Sequence, residues 1–435
     1  MPATRTRPPA FVLFTDLPKA GAYLRAIAAR GLRSLVVTGP PQWPLEQVAV
    51  SYVGTPGHPF EAVERLEFLP PEDTAGILDQ VTAWSRDYDV RGIFNSSESF
   101  VEPAGLAADL LGLPGVGLRA ARVCRNKHLQ RRYLAEWSPL SLLSSTPREE
   151  LRTAVAGRYP LIAKPLDLYC SIGVQVLRDQ AETDRYLDAR GPDAAPVLLE
   201  QRVEGREFSV ETIVVDGRPV FSAVTQKATN EHEGDFFVEM GHTLPAGNAS
   251  EDEAELLRST QAAALARLDF GTGMAHGEYR ILPDGRVALM EIAARPPGDG
   301  ILHLYELATG ASIEASVVDA ALGLPVDHPQ PRRRARQVYF DHLPGTLADV
   351  TLEGPAADEP FWVVEHGLWP GVEAAPADAP AGLRKVLVLK ARGAELGPLT
   401  DSFGRVVTAL FDAPGPEQLE QLDEDVRKAV RITVS

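Results

Sequence analysis

A chain of 435 residues has room for two to four domains, and its 44% hydrophobic content fits a packed soluble protein. The net charge of −17 argues against sequence-independent nucleic-acid binding, although a local basic pocket for phosphates stays open. Cys124 and Cys170 are too few for a disulfide framework, the apolar run near the N-terminus (FVLF) is only four residues, and no run approaches a membrane span. The expectation is a cytoplasmic protein without a leader or membrane segment.

In chain order, FVLFT (11–15) reads as a short apolar strand. Asp16 suits the N-cap of a following helix, Pro18 its first turn and Gly31 its end. The strand SLVVTG (34–39), a helix near 74–87, the strand GIFNS (92–96) and the helix PAGLAADLLG follow. Strands separated by helices predict a doubly wound parallel sheet. TDLPKAG has one glycine where a dinucleotide fingerprint needs three, so this domain need not bind NAD.

LRAARVCRNKHLQRRYLAEW (118–137) reads as one basic helix, and YPLIAKPLD (159–167), GVQVLRD (173–179) and PVLLEQRVEG (196–205) as strands. Residues 207–227 form a hairpin turning at Asp216-Gly217. Residues 228–248 are polar and predict a mobile loop, and EDEAELLRSTQAAALARL (251–268) a helix. PQPRRRAR (329–336) marks a boundary. Beyond it, short strands in VYFDHL, WVVEHG and KVLVLKA and a helix from Ser402 to Phe411 suggest a small α+β module.

HGEYRILPDGRVALMEIAARPPGDGI (276–301) reads as a second hairpin around Pro-Asp-Gly. A two- or four-residue loop pairs Leu282 with Val287 and sets Glu278 opposite Glu291, about 5 Å apart, where like charges repel. A positive group should then sit between them. Alternation puts Glu291, Ala293 and Arg295 on one face. Arg280 shares the face of Glu278, so an ordinary charge ladder is a second reading. A three-residue loop with a glycine bulge would send the glutamates to opposite faces. Lys164, ending the apolar strand PLIAKP, is costly to bury unless it meets an anion.

From about residue 120 to 325, the order of these features resembles the ATP-grasp superfamily, and within it the amino-acid ligases and related carboxylate–amine ligases. The resemblance implies an α/β and α+β chain with an ATP-grasp fold. Its N-terminal doubly wound parallel-sheet domain would span 1–120, the ATP-grasp domain 121–330 (small subdomain about 121–200), and a small C-terminal α+β domain 331–435.

It also assigns roles. Lys127, preceded by Asn126 where an aspartate is usual, and Lys164 would reach the nucleotide phosphates; a surface position on a basic helix is the plainer reading of Lys127. The loop DLYCSIG would close over the phosphates through the backbone near Ser171 and Gly173, with Cys170 a small loop residue and not a nucleophile. Glu200, with the backbone of Gln201 and Val203, would receive adenine, and Glu207 the ribose. Glu239 and His242 would hold a substrate amino acid, although His242 also fits a satisfied polar loop residue. Glu278 and Glu291 would bind metal; Ala293 stands where the family often has an asparagine, which leaves the number of ions open. Arg295 would stabilise the oxyanion. Asp299 either favours a cationic substrate or caps the helix of ILHLYELATG.

The implied activity is an ADP-forming ligase that makes an amide bond through an acyl phosphate. Arg295 and Lys164 would be its catalytic residues, ATP and Mg²⁺ (or Mn²⁺) its cofactors, and amino acids its carboxylate and amine substrates. A homodimer is compatible with the superfamily. Three alternatives stand beside this reading: an acceptor on a carrier protein or natural-product scaffold, a carboxylase-like enzyme using bicarbonate, and a non-catalytic nucleotide-binding protein.

Overall fold

In the computed structural model, which describes residues 6–168, 171–191, 194–231, 236–353 and 359–435, four parallel strands open the chain. Val63–Phe68, Arg33–Thr38, Pro9–Phe14 and Asp89–Asn95 lie side by side in that order. The strand Pro9–Phe14 is an unbroken apolar run because both its faces are covered. Phe11 and Leu13 pack with Leu24 and Ile27 on one side, and Val12 and Phe14 with Ile77 and Val81 on the other. Val63–Phe68 was not expected; VERLEF mixes charged and apolar residues because it is a half-exposed edge strand.

Asp16 does not cap an α-helix. A 3₁₀ turn, Leu17–Lys19, comes between it and the helix Gly21–Ala29, and the Asp16 carboxylate accepts a hydrogen bond from Ser97 Oγ at 2.8 Å. The strand order reverses between Pro9–Phe14 and Asp89–Asn95, so the crevice beyond their carboxyl ends is a natural ligand site. Asp16 and Glu98 stand there.

The single helix expected over 118–137 is two, Leu118–Cys124 and Lys127–Tyr133. Asn126 breaks it: the residue is extended and its side chain accepts from the Leu129 N–H, capping the second helix. A small antiparallel sheet follows, ordered Ser141–Leu143, Val197–Gln201, Leu161–Pro165, Gln175–Leu177.

The large sheet has nine strands. Two hairpins, Gly273–Ile281 with Val287–Ala293 and Arg206–Val215 with Arg218–Thr229, form one end. Asp216 and Gly217, both at positive φ, make the tight turn of the latter. The stretch 228–248 is not one mobile loop: Glu239–Leu244 is an interior strand, while 232–235 lie outside the described residues.

Arg334–Tyr339 joins that strand directly, and Val407–Ala413, Gly382–Val388 and Phe361–Trp362 extend the same sheet. The PQPRRRAR boundary therefore runs into a strand. Arg333 is buried there because Asp412 Oδ2 accepts from its Nε at 2.5 Å and the carbonyls of Pro376 and Ala379 accept from Nη1. The helix expected from Ser402 to Phe411 is a 3₁₀ turn, Ser402–Gly404, followed by the strand Val407–Ala413, whose VTALF suits a pleated core. The helix is Pro416–Ala429 instead. WVVEHG is mostly the short helix Val363–His366. Among the described residues no helix is long and apolar enough to cross a membrane.

Candidate active site

The second hairpin closes through the three-residue loop Pro283-Asp284-Gly285. The Leu282 N–H donates to the Arg286 carbonyl at 2.9 Å, and Gly285 adopts φ +81°. Ile281, not Leu282, pairs with Val287. This odd loop corrects the even-length turn expected from the sequence, and alone it would put the glutamates on opposite faces. Met290 restores the register. It is an extra residue between the pairs Tyr279–Leu289 and Glu278–Glu291, so the glutamates stand opposite each other after all. The helix Lys127–Tyr133 pins this bulged edge: Arg131 Nη2 donates to the Met290 carbonyl at 2.6 Å, and the Gln130 amide exchanges hydrogen bonds with the Ile292 backbone at 3.0 and 3.1 Å.

Both glutamates line a cleft of ≈ 240 Å³ between the two sheets. Lys127, Lys164, Ser171, Glu200, Gln201, Val203, Glu207, Glu239, Arg295 and Asp299 line it too. Gly173, at φ +72°, and His242 stand outside that lining. Cys170 lies outside the described residues.

The repulsion between the glutamates is met by lysines. Lys127 Nζ donates to Glu291 Oε1 at 3.1 Å and to the Leu168 carbonyl at 2.6 Å. Lys227 Nζ donates to Glu278 Oε1 at 2.5 Å, contacts Glu239, and lies 3.5 Å from Glu207 Oε1. Burial works against the Lys227 charge, but the three carboxylates outweigh it and raise its pKa. Burial likewise opposes the Glu278 charge, and Lys227 and His276 outweigh it, so its pKa falls. Arg280 does not neutralise the pair: its guanidinium turns to Glu207 Oε2 at 2.9 Å and Glu231 Oε2 at 3.1 Å. The lysine contacts fall on Oε1 of each glutamate. Two half-buried, all-oxygen donors facing one cleft suit a hard divalent cation.

Lys164 ion-pairs with Glu200, which also takes Arg131, with Arg131 Nη2 3.2 Å from Glu200 Oε2. Burial would raise the Glu200 pKa, but Arg131 and then Lys164 hold it at about 2. The Lys164 pKa is itself lowered, because burial outweighs the attraction of Glu200. With both Glu200 oxygens engaged, an adenine would meet the Gln201–Val203 segment more directly than this carboxylate. Ser171, at φ +60°, donates from Oγ to the Phe237 carbonyl at 2.9 Å and ties its loop across the cleft.

Arg295 and Arg125 both ion-pair with Glu98, in the loop that follows the strand Asp89–Asn95. Burial would raise the Glu98 pKa, but the two guanidiniums bring it to about 2.

Asp299 is not the helix cap: the N-cap of Ile301–Thr309 is Gly300, and Asp299 sits at φ +52°. Its carboxylate accepts from Arg405 Nη1 at 2.8 Å and Nη2 at 2.7 Å, and meets His242 Nε2 at 2.9 Å. Arg405 also stacks 4.0 Å from the Tyr339 ring centroid and donates to the Glu239 carbonyl at 3.1 Å. Asp299 thus carries its own counter-ion, which removes the charge that was to select a cationic substrate. His242 is 1% exposed, a buried strand residue supporting Asp299 and not a loop residue.

Residues 157–302 match the family model of the ATP-grasp domain. A D-alanine–D-alanine ligase of Bacillus licheniformis is 25% identical over 203 residues, 45% of this chain and 55% of that protein. An alanine–anticapsin ligase of Bacillus subtilis is 25% identical over 284 residues, 58% of this chain and 59% of that protein. The chain thus spans a little over half the length of these curated relatives. Among solved structures, an L-amino acid ligase from Bacillus licheniformis superposes with a TM-score of 0.74 at 20% identity, covering 99% of this chain and all of that one. A phosphoribosylglycinamide synthetase from Anaerococcus prevotii gives 0.69 at 13% identity, over 99% and 100% of the two chains. Residues 157–302 thus carry an ATP-grasp domain, and the chain shares the fold of that L-amino acid ligase.

Proposed function

We propose that the protein is an ADP-forming ligase that joins an amino acid's carboxylate to an amine through an acyl phosphate. The observation that carries this reading is the pairing of Glu278 with Glu291 in one cleft that also holds Lys127, Lys164 and Arg295. The names of the relatives point to amino acids as substrates.

Glu278 and Glu291 would hold Mg²⁺, which when bound shields the charge of the triphosphate tail. Lys127 and Lys164 place two more positive charges along the phosphates, and the loop of Ser171 and Gly173 covers them and excludes water. The substrate carboxylate attacks the γ-phosphate in line, giving the acyl phosphate and ADP. The amine then attacks the acyl carbon, Arg295 binds the tetrahedral oxyanion, and phosphate leaves. Glu98 fixes the Arg295 guanidinium from the opposite domain, so the oxyanion donor is positioned before substrate arrives. Gln201 to Val203 would hold adenine beside the buried Glu200, Glu207 the ribose, and Glu239 the substrate ammonium, with His242 and Asp299 behind it. The units 1–120, 121–330 and 331–435 would all contribute, the last through Arg405.

Measuring ADP release with ATP, Mg²⁺ and the amino acids singly and in pairs tests the proposal. Pair-dependent ADP and an amide product of matching mass are expected. ADP that depends on bicarbonate would replace this reading with the carboxylase-like one, and ATP binding without ADP under any acceptor would replace it with a nucleotide-binding role.

A further inference from the structure

The strands Gly273–Ile281, Arg206–Val215 and Arg218–Thr229 lie side by side in that order, and a buried polar cluster spans them. Glu211 stands directly opposite His276 on the neighbouring strand and is fully buried. Glu211 Oε1 meets His276 Nδ1 at 2.8 Å. Glu211 Oε2 accepts from the Thr225 hydroxyl at 2.7 Å and from the Tyr305 hydroxyl at 2.8 Å. Glu278 follows His276 by two residues, so alternation puts both on one face, and His276 Nε2 meets Glu278 Oε1 at 3.2 Å. Each ring nitrogen faces a carboxylate oxygen, and only an imidazolium donates from both.

Stability alone does not account for this cluster. Well-packed apolar residues often serve a fold as well as a buried ion pair does. Of these four residues only His276 lines the main cleft, and its outer nitrogen ends on Glu278. Lys227 donates to the same oxygen at 2.5 Å, so both donors act on Oε1, and Oε2 lies outside their contacts. Lys227 is a flexible side chain shared with Glu239 and Glu207. The His276 ring is rigid, and Glu211, itself locked by Thr225 and Tyr305, sets its orientation.

We propose that Glu211 and His276 form a positioning dyad for Glu278: the buried carboxylate orients the ring, and the ring holds Glu278 Oε1 so that Oε2 is presented to the divalent cation. The assignment rests on the reading of Glu278 and Glu291 as metal ligands. Outer partners of this kind set metal affinity by about ten- to a hundredfold.

The test is the affinity of the full chain for a non-hydrolysable ATP analogue, measured by calorimetry in EDTA and in saturating Mg²⁺. The ratio of the two affinities is the gain that the metal confers. Two double variants remove both charges of the dyad and keep the buried slot filled with amides, so that neither strands a carboxylate. Glu211→Gln with His276→Asn leaves no donor within reach of Glu278, and its gain should fall by about tenfold or more while the affinity in EDTA stays that of the wild type. Glu211→Gln with His276→Gln, whose longer amide reaches the place of Nε2, should recover part of the gain. A wild-type gain in the first double variant, or no recovery in the second, overturns the dyad and leaves the cluster a structural one. No gain in the wild type, or a gain that survives intact in Glu278→Gln, overturns the metal reading and the dyad with it.

Discussion

Asp299 and Arg405, 106 residues apart, form a two-pronged ion pair at 2.7 and 2.8 Å in the wall of the cleft. It ties the loop after the glutamate hairpin to the C-terminal part of the chain. Because the pair is nearly buried, removing one partner strands the other charge. Arg405→Ala should destabilise the protein by about 3–5 kcal/mol. A double-mutant cycle with Asp299→Asn should show a coupling of about 1 kcal/mol or more, read from urea midpoints. The same neutralisation predicts that Asp299→Asn lowers turnover equally for neutral and cationic amino acids. A selective loss with cationic ones would restore Asp299 as a charge selector.

Lys227 holds Glu278, Glu239 and Glu207 together from a buried position. Lys227→Met leaves three carboxylates without their shared cation, and Tm should fall sharply. A divalent cation can then take over part of the lysine's role. Mg²⁺ should raise the Tm of the variant more than that of the wild type, as differential scanning fluorimetry would show. An equal or smaller rise in the variant would mean that Lys227 does not stand in for metal at Glu278.

Glu200 predicts a pH dependence. Its folded pKa of about 2 lies below the ordinary value of 4.5. Such a group adds stability above pH 4.5 and loses it as pH falls toward 2. The shift corresponds to about 3 kcal/mol, as an upper value because burial works against Lys164. Glu200→Gln should therefore destabilise strongly at pH 7 and much less near pH 3, in urea melts at the two pH values. A pH-independent penalty would show that its charge is not what matters.

The bulge at Met290 gives a test of register. Arg131→Leu removes the donor to the Met290 carbonyl and strands Glu200 with Lys164. Both stability and nucleotide-dependent activity should fall together. A variant that loses stability but keeps activity would show that the bulge holds its register without Arg131.

The local pattern of the chain was informative where burial follows sequence. The apolar strand at Pro9–Phe14, the Asp216-Gly217 turn and the capped helix Glu251–Arg267 follow from periodicity and turn chemistry alone. The ordered glutamates, lysines and Arg295 also placed the cleft. Two compensating irregularities were not legible: PDG suits several loop lengths, and nothing in VALMEIA marks Met290 as a bulge. The counter-charges were hidden for another reason. Lys227, Arg131, Glu98 and Arg405 meet partners 12 to 197 residues away, and only the folded sheet brings them together. Ser402–Phe411 failed as a helix because its neighbours in the large sheet, not local propensity, decide its state.

Phosphoryl transfer in this cleft requires Glu278 and Glu291 to act as a pair. The most direct measurement is ADP release by Glu278→Gln and Glu291→Gln at saturating ATP and Mg²⁺, with the amino-acid pair that works for the wild type. Each variant should lose about a hundredfold or more in turnover, while its circular dichroism spectrum stays that of the wild type. Turnover within about threefold of wild type in either correctly folded variant would contradict a phosphoryl-transfer role for that pair.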